Sequence, residues 1–113
     1  MKSIILVVDD DKTNLTLAQK ILLPEYRFAA CNSGMAALKY LENNHPDLIL
    51  LDINMPDMDG FEVMEQLRLK EETASIPVIF LTADNLAQTE VKCFQMGAVD
   101  FVTKPFMPDI LLT

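Results

Sequence analysis

One stretch of the sequence, residues 47–60, constrains the fold more than any other. It reads Asp-Leu-Ile-Leu-Leu-Asp-Ile-Asn-Met-Pro-Asp-Met-Asp-Gly, an apolar run of strand length that ends at Asp52 and is followed by an acidic loop. A short apolar run bounded by turn residues is typical of a strand that is buried on both faces. Open parallel sheets bind their ligands at the carboxyl ends of such strands. We therefore predict that Asp52 lies at the centre of a functional site.

Length and charge limit the classes of protein to which this chain can belong. Its 113 residues suit one compact domain, and a hydrophobic content of 50% is enough to cover both faces of a sheet. The formal net charge of −8 argues against direct binding to nucleic acid or to an anionic membrane, because attraction to phosphate dominates such binding. No apolar run is long enough for a signal peptide or a membrane span, and the two cysteines form no CxxC pair. We expect a cytoplasmic protein with one domain over residues 1–113.

Apolar segments of strand length alternate with segments of helical periodicity along the whole chain. The predicted strands are residues 4–8, 26–31, 47–51, 76–81 and 99–102. The fourth predicted helix, about 87–96, is expected to bury Val91 and Phe94, and the fifth is represented only by residues 109–113. This alternation predicts an α/β fold with a parallel sheet, right-handed crossovers and helices on both faces.

Polar side chains stand at the ends of four predicted strands. Asp9 and Asp10 follow the first strand, Asp52 the third, Thr82 the fourth and Lys104 the fifth. In a parallel sheet these ends open at the same edge, so we expect the five side chains to converge. Crowded carboxylates require a cation, and oxygen ligands are typical of Mg²⁺, while lysine and hydroxyl donors suit a phosphoryl group. The set predicts phosphoryl transfer to a carboxylate.

The segments that carry these residues resemble the receiver domain of two-component response regulators. They are Asp9-Asp10, residues 50–60, residues 81–83 and residues 102–106, and the resemblance covers almost the whole chain. It implies a flavodoxin-like (βα)5 doubly wound fold with strand order 2-1-3-4-5, in which the fifth helix would be truncated. It also implies that Asp52 accepts a phosphoryl group from a phosphohistidine on a sensor histidine kinase or a phosphotransfer protein.

The resemblance also implies a set of metal ligands. Asp10 and Asp52 would bind Mg²⁺ or Mn²⁺ directly, and Asn54 would bind it through the backbone carbonyl. Asp9 would act through a metal-bound water. The site would then be a divalent-cation site beside the phosphoacceptor.

Further residues receive roles toward the phosphoryl group and the conformational switch. Ala83 is small and just past a strand, which leaves room for a phosphate beside its backbone N–H. By the resemblance, Thr82 would hydrogen-bond the phosphoryl group and Lys104 would pair with it. Phe101 would be the switch aromatic, and the peptide bond before Pro105 would be cis.

The expected partners follow from the same resemblance. Beyond the phosphodonor, they are an output domain C-terminal to residue 113 or a separate partner protein, with a homodimer on phosphorylation as a further form. The surface for them would be the fourth predicted helix, the fifth strand and the fifth helix. Phosphorylation would shift the population between an inactive and an active conformation.

Two other functions are compatible with parts of the sequence. Residues 9–13 fit the DxDxT opening of haloacid dehalogenase-type phosphatases, although Asp52 would then have no role and only Asp109 remains as a later acidic ligand. A receiver fold can also serve as an interaction module without phosphorylation, although such variants usually lack an acidic, Thr or Lys position that this chain retains. We keep the receiver function as the main prediction and these two as alternatives.

Overall fold

The computed structural model describes residues 2–83 and 86–104, and alternating strands and helices fill them. In chain order the elements are β1 Ile4–Val8, α1 Lys12–Leu22, β2 Arg27–Cys31, α2 Gly34–Tyr40, β3 Leu48–Asp52, α3 Gly60–Leu69, α4 Glu71–Ala74, β4 Val78–Thr82, α5 Ala87–Gln95 and β5 Asp100–Thr103. The predicted cis bond at Pro105 and the predicted helix over 109–113 lie outside the described residues. Within those residues, no helix combines the length and apolarity that crossing a membrane would need.

The strands form one parallel sheet in the order β2-β1-β3-β4-β5. This confirms the predicted α/β flavodoxin-like fold and strand order. The third and fourth strands lie one or two residues later than predicted, so Asp52 and Thr82 are their last residues. The register places Val8 opposite Leu51, and Asp52 opposite Leu81. The carboxyl ends of β1, β3 and β4 therefore meet at one edge of the sheet.

Apolar side chains on the two faces of the sheet form two separate clusters. Alternate residues of a strand point to opposite faces, so β1 contributes Leu6 to one cluster and Val7 to the other. The face with Val7 packs against α1, which buries Ala18 and Leu22. The face with Leu6 is covered by α2, α3 and α5. The continuous apolar runs of the sequence arise from this two-sided burial.

Helix α5 shows the opposite face to the sheet from the one predicted. Cys93 is fully buried and Thr89 and Met96 are half-buried, whereas Val91 and Phe94 are 53% and 45% exposed. The prediction that Val91 and Phe94 point inward is therefore wrong. On a helix, Phe94 lies about 100° and Val91 about 160° around the axis from Cys93. A helix that buries Cys93 therefore turns Val91 and Phe94 away from the sheet. The sheet accepts the smaller thiol, and a spacing of three residues alone does not determine which face is buried.

The first residues of α3 hydrogen-bond with the loop that follows β3. The Gly60 N–H donates to the Ile53 carbonyl at 2.8 Å, and the Asp59 and Glu62 side chains form a capping box with each other's backbone N–H. A Cβ atom on Gly60 would lie 2.5 Å from the Asp52 carbonyl oxygen and 2.8 Å from Ile53 Cα. Only a residue without a side chain fits this close approach to the end of β3.

We predict that Gly60→Ala destabilises the fold more than Gly34→Ala does. Overpacking usually costs about 1–3 kcal/mol, and Gly60→Ala should lie at or above the upper end because backbone atoms cannot rotate away. A Cβ on Gly34 would also be crowded, 2.8 Å from Val63 Cγ2 and 3.0 Å from Met58 Cγ, but these are side-chain atoms that can shift. Urea unfolding of both variants measures the two free energies of unfolding. Equal costs would contradict the assignment of Gly60 to a backbone contact.

Candidate functional site

Three aspartates meet at the carboxyl edge of the sheet. Asp9 and Asp10 directly follow β1, and Asp52 ends the neighbouring strand β3. Asp9 and Asp52 are 0% and 1% exposed, whereas Asp10 is exposed. One carboxylate oxygen from each of the three lies within 4.8 Å of the others. The parallel topology therefore brings together aspartates that are more than forty residues apart in the sequence.

A single ammonium group bridges the two buried carboxylates. Lys104 Nζ lies 3.0 Å from Asp9 Oδ2 and 3.0 Å from Asp52 Oδ1, and the lysine side chain is 16% exposed. Lys104 follows β5, and its backbone N–H donates to the Thr82 carbonyl at 2.7 Å. This backbone bond fixes the start of the lysine side chain beside the end of β4. The positive charge that offsets these two carboxylates thus comes from the end of β5, which is two strands away from β3 in the sheet.

The remaining contacts of the buried carboxylates come from the loops. Asp9 Oδ1 accepts a hydrogen bond from the Asp11 N–H at 3.0 Å, and Asp52 Oδ1 accepts one from the Asn54 N–H at 3.3 Å. Asp9 Oδ2 is buried without a hydrogen-bond partner among the described residues, so its contact with Lys104 is a charge contact outside hydrogen-bond geometry. A buried oxygen with unused acceptor capacity, in a group of three carboxylates, suits a hard cation.

Thr82 and Ala83 lie on the strand next to Asp52. Leu81 is opposite Asp52 in the β3–β4 register, so Thr82 is one residue farther toward the carboxyl edge. Thr82 is fully buried, while Ala83 is exposed at the bend that follows β4. These positions put a hydroxyl-bearing residue and an exposed small residue on the same edge as the carboxylates.

Phe101 lies in a group of aromatic rings beneath α5. It is half-buried in β5 opposite Phe80, and its ring meets that of Phe94 edge-on at 6.2 Å. The Phe80 ring in turn meets Phe61 at 5.2 Å, and Lys92 Nζ lies 4.3 Å from the centre of the Phe61 ring. These contacts connect α3, the sheet and α5.

Burial and charge act against each other in the pKa of Asp52. The pKa of Asp52 is raised from 3.8 to about 6: desolvation raises it most, the hydrogen bond from Lys104 lowers it, and the neighbouring charge of Asp9 raises it. For Lys104, burial lowers the pKa, but the close contacts with the Asp9 and Asp52 carboxylates and their charges outweigh it, and the net shift is upward. At neutral pH, Asp52 is therefore ionised and Lys104 is charged.

We predict that Asp52 makes the stability of the metal-free protein fall as pH rises from about 4 to about 6. The folded pKa lies above the ordinary value, so the folded chain holds its proton through a range where the unfolded chain has lost it. Above this range the cost is on the order of 3 kcal/mol, and Asp52→Asn removes it. Urea unfolding in the presence of a chelator measures the free energy of unfolding at several pH values. The difference between Asp52→Asn and the wild type should grow in favour of the variant from about pH 4 to about pH 6 and then stay constant. A constant difference would contradict the raised pKa.

Comparison with known proteins identifies a family and relatives of this chain. The family profile of the response regulator receiver domain matches residues 5–113. A probable cyclic di-GMP phosphodiesterase of Vibrio cholerae is 45% identical over 101 residues, which are 89% of this chain and 23% of that protein. The alkaline phosphatase synthesis transcriptional regulatory protein PhoP of Bacillus subtilis is 40% identical over 109 residues, 96% of this chain and 45% of that protein. The chain thus spans less than half the length of either relative.

A solved structure gives the same result for the fold. The receiver domain of a sensor histidine kinase from Pseudomonas aeruginosa, with a magnesium ion coordinated in its active site cleft, superposes with a TM-score of 0.89. The two chains are 31% identical, and the match covers 99% of this chain and 93% of the other. Profile, relatives and fold agree on the receiver domain. This chain belongs to the response regulator receiver domain family of two-component signal transduction.

Proposed function

We propose that this receiver domain is a switch controlled by phosphorylation of Asp52. The observation that carries the proposal is the placement of the Asp52 carboxylate, 3.0 Å from Lys104 Nζ and grouped with Asp9 and Asp10 at the carboxyl edge of the sheet. A nucleophilic carboxylate, a lysine and oxygen ligands for a cation are the parts that phosphoryl transfer to a carboxylate requires. Family membership supports the same conclusion.

In the proposed transfer, an Asp52 carboxylate oxygen attacks the phosphorus of a phosphohistidine on a sensor histidine kinase or a phosphotransfer protein. The new P–O bond forms as the P–N bond breaks, and the electron pair leaves with the imidazole nitrogen. Asp52 must be ionised to attack, which a pKa of about 6 allows at neutral pH. Lys104 contacts the phosphoryl oxygens, Thr82 donates a hydrogen bond to them, and the Ala83 N–H gives a backbone contact. Hydrolysis of the acyl phosphate resets the switch.

The carboxylates fit a divalent cation. Three carboxylates with oxygens within 4.8 Å, one of them with a buried oxygen free of hydrogen bonds from the described residues, form a hard-oxygen donor set. Asp10 and Asp52 would bind Mg²⁺ or Mn²⁺ directly, Asn54 through its backbone carbonyl and Asp9 through a water. When bound, the cation neutralises the negative charge that the phosphoryl group adds to this edge.

The output surface is proposed on α5 and β5, while the predicted helix over 109–113 lies outside the described residues. Four apolar side chains are exposed on and beside these elements: Leu86 at 59%, Val91 at 53%, Phe94 at 45% and Val99 at 59%. Exposed apolar side chains on adjoining elements are candidates for contact with a partner. Phe101, against Phe94, is the proposed switch aromatic. The partner is an effector region C-terminal to residue 113, a separate cytoplasmic protein or a second phosphorylated copy.

We predict that acetyl phosphate and Mg²⁺ add one phosphoryl group to the wild-type chain and none to Asp52→Asn. Asn54 and Lys104 remain in that variant, so only the nucleophile is removed. Intact-protein mass spectrometry with and without Mg²⁺ measures the increment. Asp57→Asn is the matched control, because this exposed loop aspartate lies outside the carboxylate group and its φ of 67° suits asparagine.

The result separates the candidate functions. No increment on the folded wild type would favour an interaction module that works without phosphorylation. An increment that persists in Asp52→Asn but disappears in Asp9→Asn would move the nucleophile to Asp9, as in the phosphatase alternative.

We predict that Mg²⁺ stabilises the fold and that Asp10→Asn removes most of this effect. A ligand that binds only the folded state adds about 2.7 kcal/mol at about 100 times its Kd. Thermal unfolding across a Mg²⁺ titration measures the gain. Asp11→Asn is the control, because Asp11 caps α1 through the Thr13 N–H at 2.8 Å and asparagine caps equally well. Equal loss in both variants would show a response to general charge rather than to a site.

A further inference from the structure

Arg68, in the last turn of α3, connects three separate segments through its guanidinium group. Nη1 donates to the carbonyls of Ala74 and Ile76, the latter at 3.3 Å, and Nη2 donates to the Gly97 carbonyl at 3.1 Å. Ala74 ends α4, Ile76 leads into β4, and Gly97 lies in the turn between α5 and β5. One half-buried side chain thus joins α3 to the approach of β4 and to the end of α5.

The charge of Arg68 is directed at backbone carbonyls. Both ion pairs among the described residues belong to Lys104, so Arg68 has no carboxylate partner there. Burial lowers the pKa of Arg68. A cation at the end of a helix is attracted to the carbonyls that the helix leaves without partners. The planar fork of arginine holds its N–H donors in a fixed geometry toward separate carbonyls, whereas the ammonium of lysine is a compact point charge whose donors rotate.

The two ends of α5 are held in different ways. At its C-terminal end the Gly97 carbonyl binds Arg68, the Ala98 N–H donates to Cys93 at 3.2 Å, and the Val99 N–H donates to Val78 at 2.9 Å. At its N-terminal end the Leu86 carbonyl accepts hydrogen bonds from the Thr89 and Glu90 N–H groups at 3.1 and 3.2 Å. This end follows the bend after Thr82, at the edge that holds the carboxylates.

We propose that Arg68 is a positioning residue that makes the Gly97 end of α5 a fixed pivot. The inference rests on the proposed function, because it concerns how phosphorylation at Asp52 is passed to α5. A change near Thr82 reaches the N-terminal turn of α5 first. With the Gly97 end anchored, the helix swings about that end, and the movement is concentrated at the exposed side chains near its start. Without the anchor, the same change shifts the whole helix.

The test is hydrogen–deuterium exchange at single amides with Mg²⁺, with and without acetyl phosphate, on the wild type, Arg68→Gln and Thr73→Val. First-turn reporters are the Thr89 and Glu90 amides, which donate to Leu86, and last-turn reporters are those of Met96, Gly97 and Ala98. Thr73→Val is the matched control, because it removes the bond from Thr73 Oγ1 to the Leu67 carbonyl at 2.6 Å, beside Arg68. If the Gln variant does not fold, Arg68→Lys replaces it.

In the wild type and in Thr73→Val, phosphorylation should change exchange at the first turn and leave the last turn unchanged. In Arg68→Gln phosphorylation should also change exchange at the last turn, by about fivefold for each backbone hydrogen bond of that turn that the movement breaks. Equal changes at both ends of the wild-type helix would overturn the pivot. So would a last turn in Arg68→Gln that is faster by the same factor in both states, as for a merely structural arginine. Intact mass, measured in parallel, keeps these outcomes separate from a failure of Asp52 to be phosphorylated.

Discussion

Attraction between one ammonium group and two buried carboxylates is the interaction on which this site depends. Asp9 and Asp52 lie on neighbouring strands without exposure to solvent, and Lys104 contacts both at 3.0 Å. Buried charges without a partner are expensive, whereas opposite charges about 4 Å apart attract by about 4 kcal/mol near a protein surface. The register of β1, β3 and β5 must therefore be correct together, because a slip in any of them separates a charge from its partner.

Helix α5 connects the carboxyl edge of the sheet with its amino edge. The carboxylates lie at the carboxyl edge of the sheet, while Ile76 and Gly97 precede β4 and β5 at the amino edge. Helix α5 has nine residues and so crosses about 13 Å between the two edges. A hydrogen-bonded helix of this length moves as a rigid body. Helix α5 thus runs from the edge that holds the carboxylates to the edge where Arg68 binds the Gly97 carbonyl.

Much of this arrangement could be predicted from the sequence, and the failures have identifiable causes. The strands and the convergence of Asp9, Asp10 and Asp52 follow from apolar runs and parallel topology. The buried face of α5 does not follow, because Val91 and Phe94 are more hydrophobic than the Cys93 that the sheet accepts. The role of Arg68 could not be predicted either, because its partners are backbone carbonyls that every residue carries. Caps such as the Asp59–Glu62 box have a recognisable spacing in the sequence, whereas contacts of Arg68 with carbonyls in distant segments have none.

The position of Lys104 in the chain also has a consequence for biosynthesis. The ribosome releases a chain from its amino end, and β1 and β3 pair directly in the sheet. The segments that carry Asp9 and Asp52 are thus both available some fifty residues before Lys104 is translated. During that interval Lys104 cannot offset the two carboxylates, so the paired strands β1 and β3 gain this charge partner only once β5 has been made.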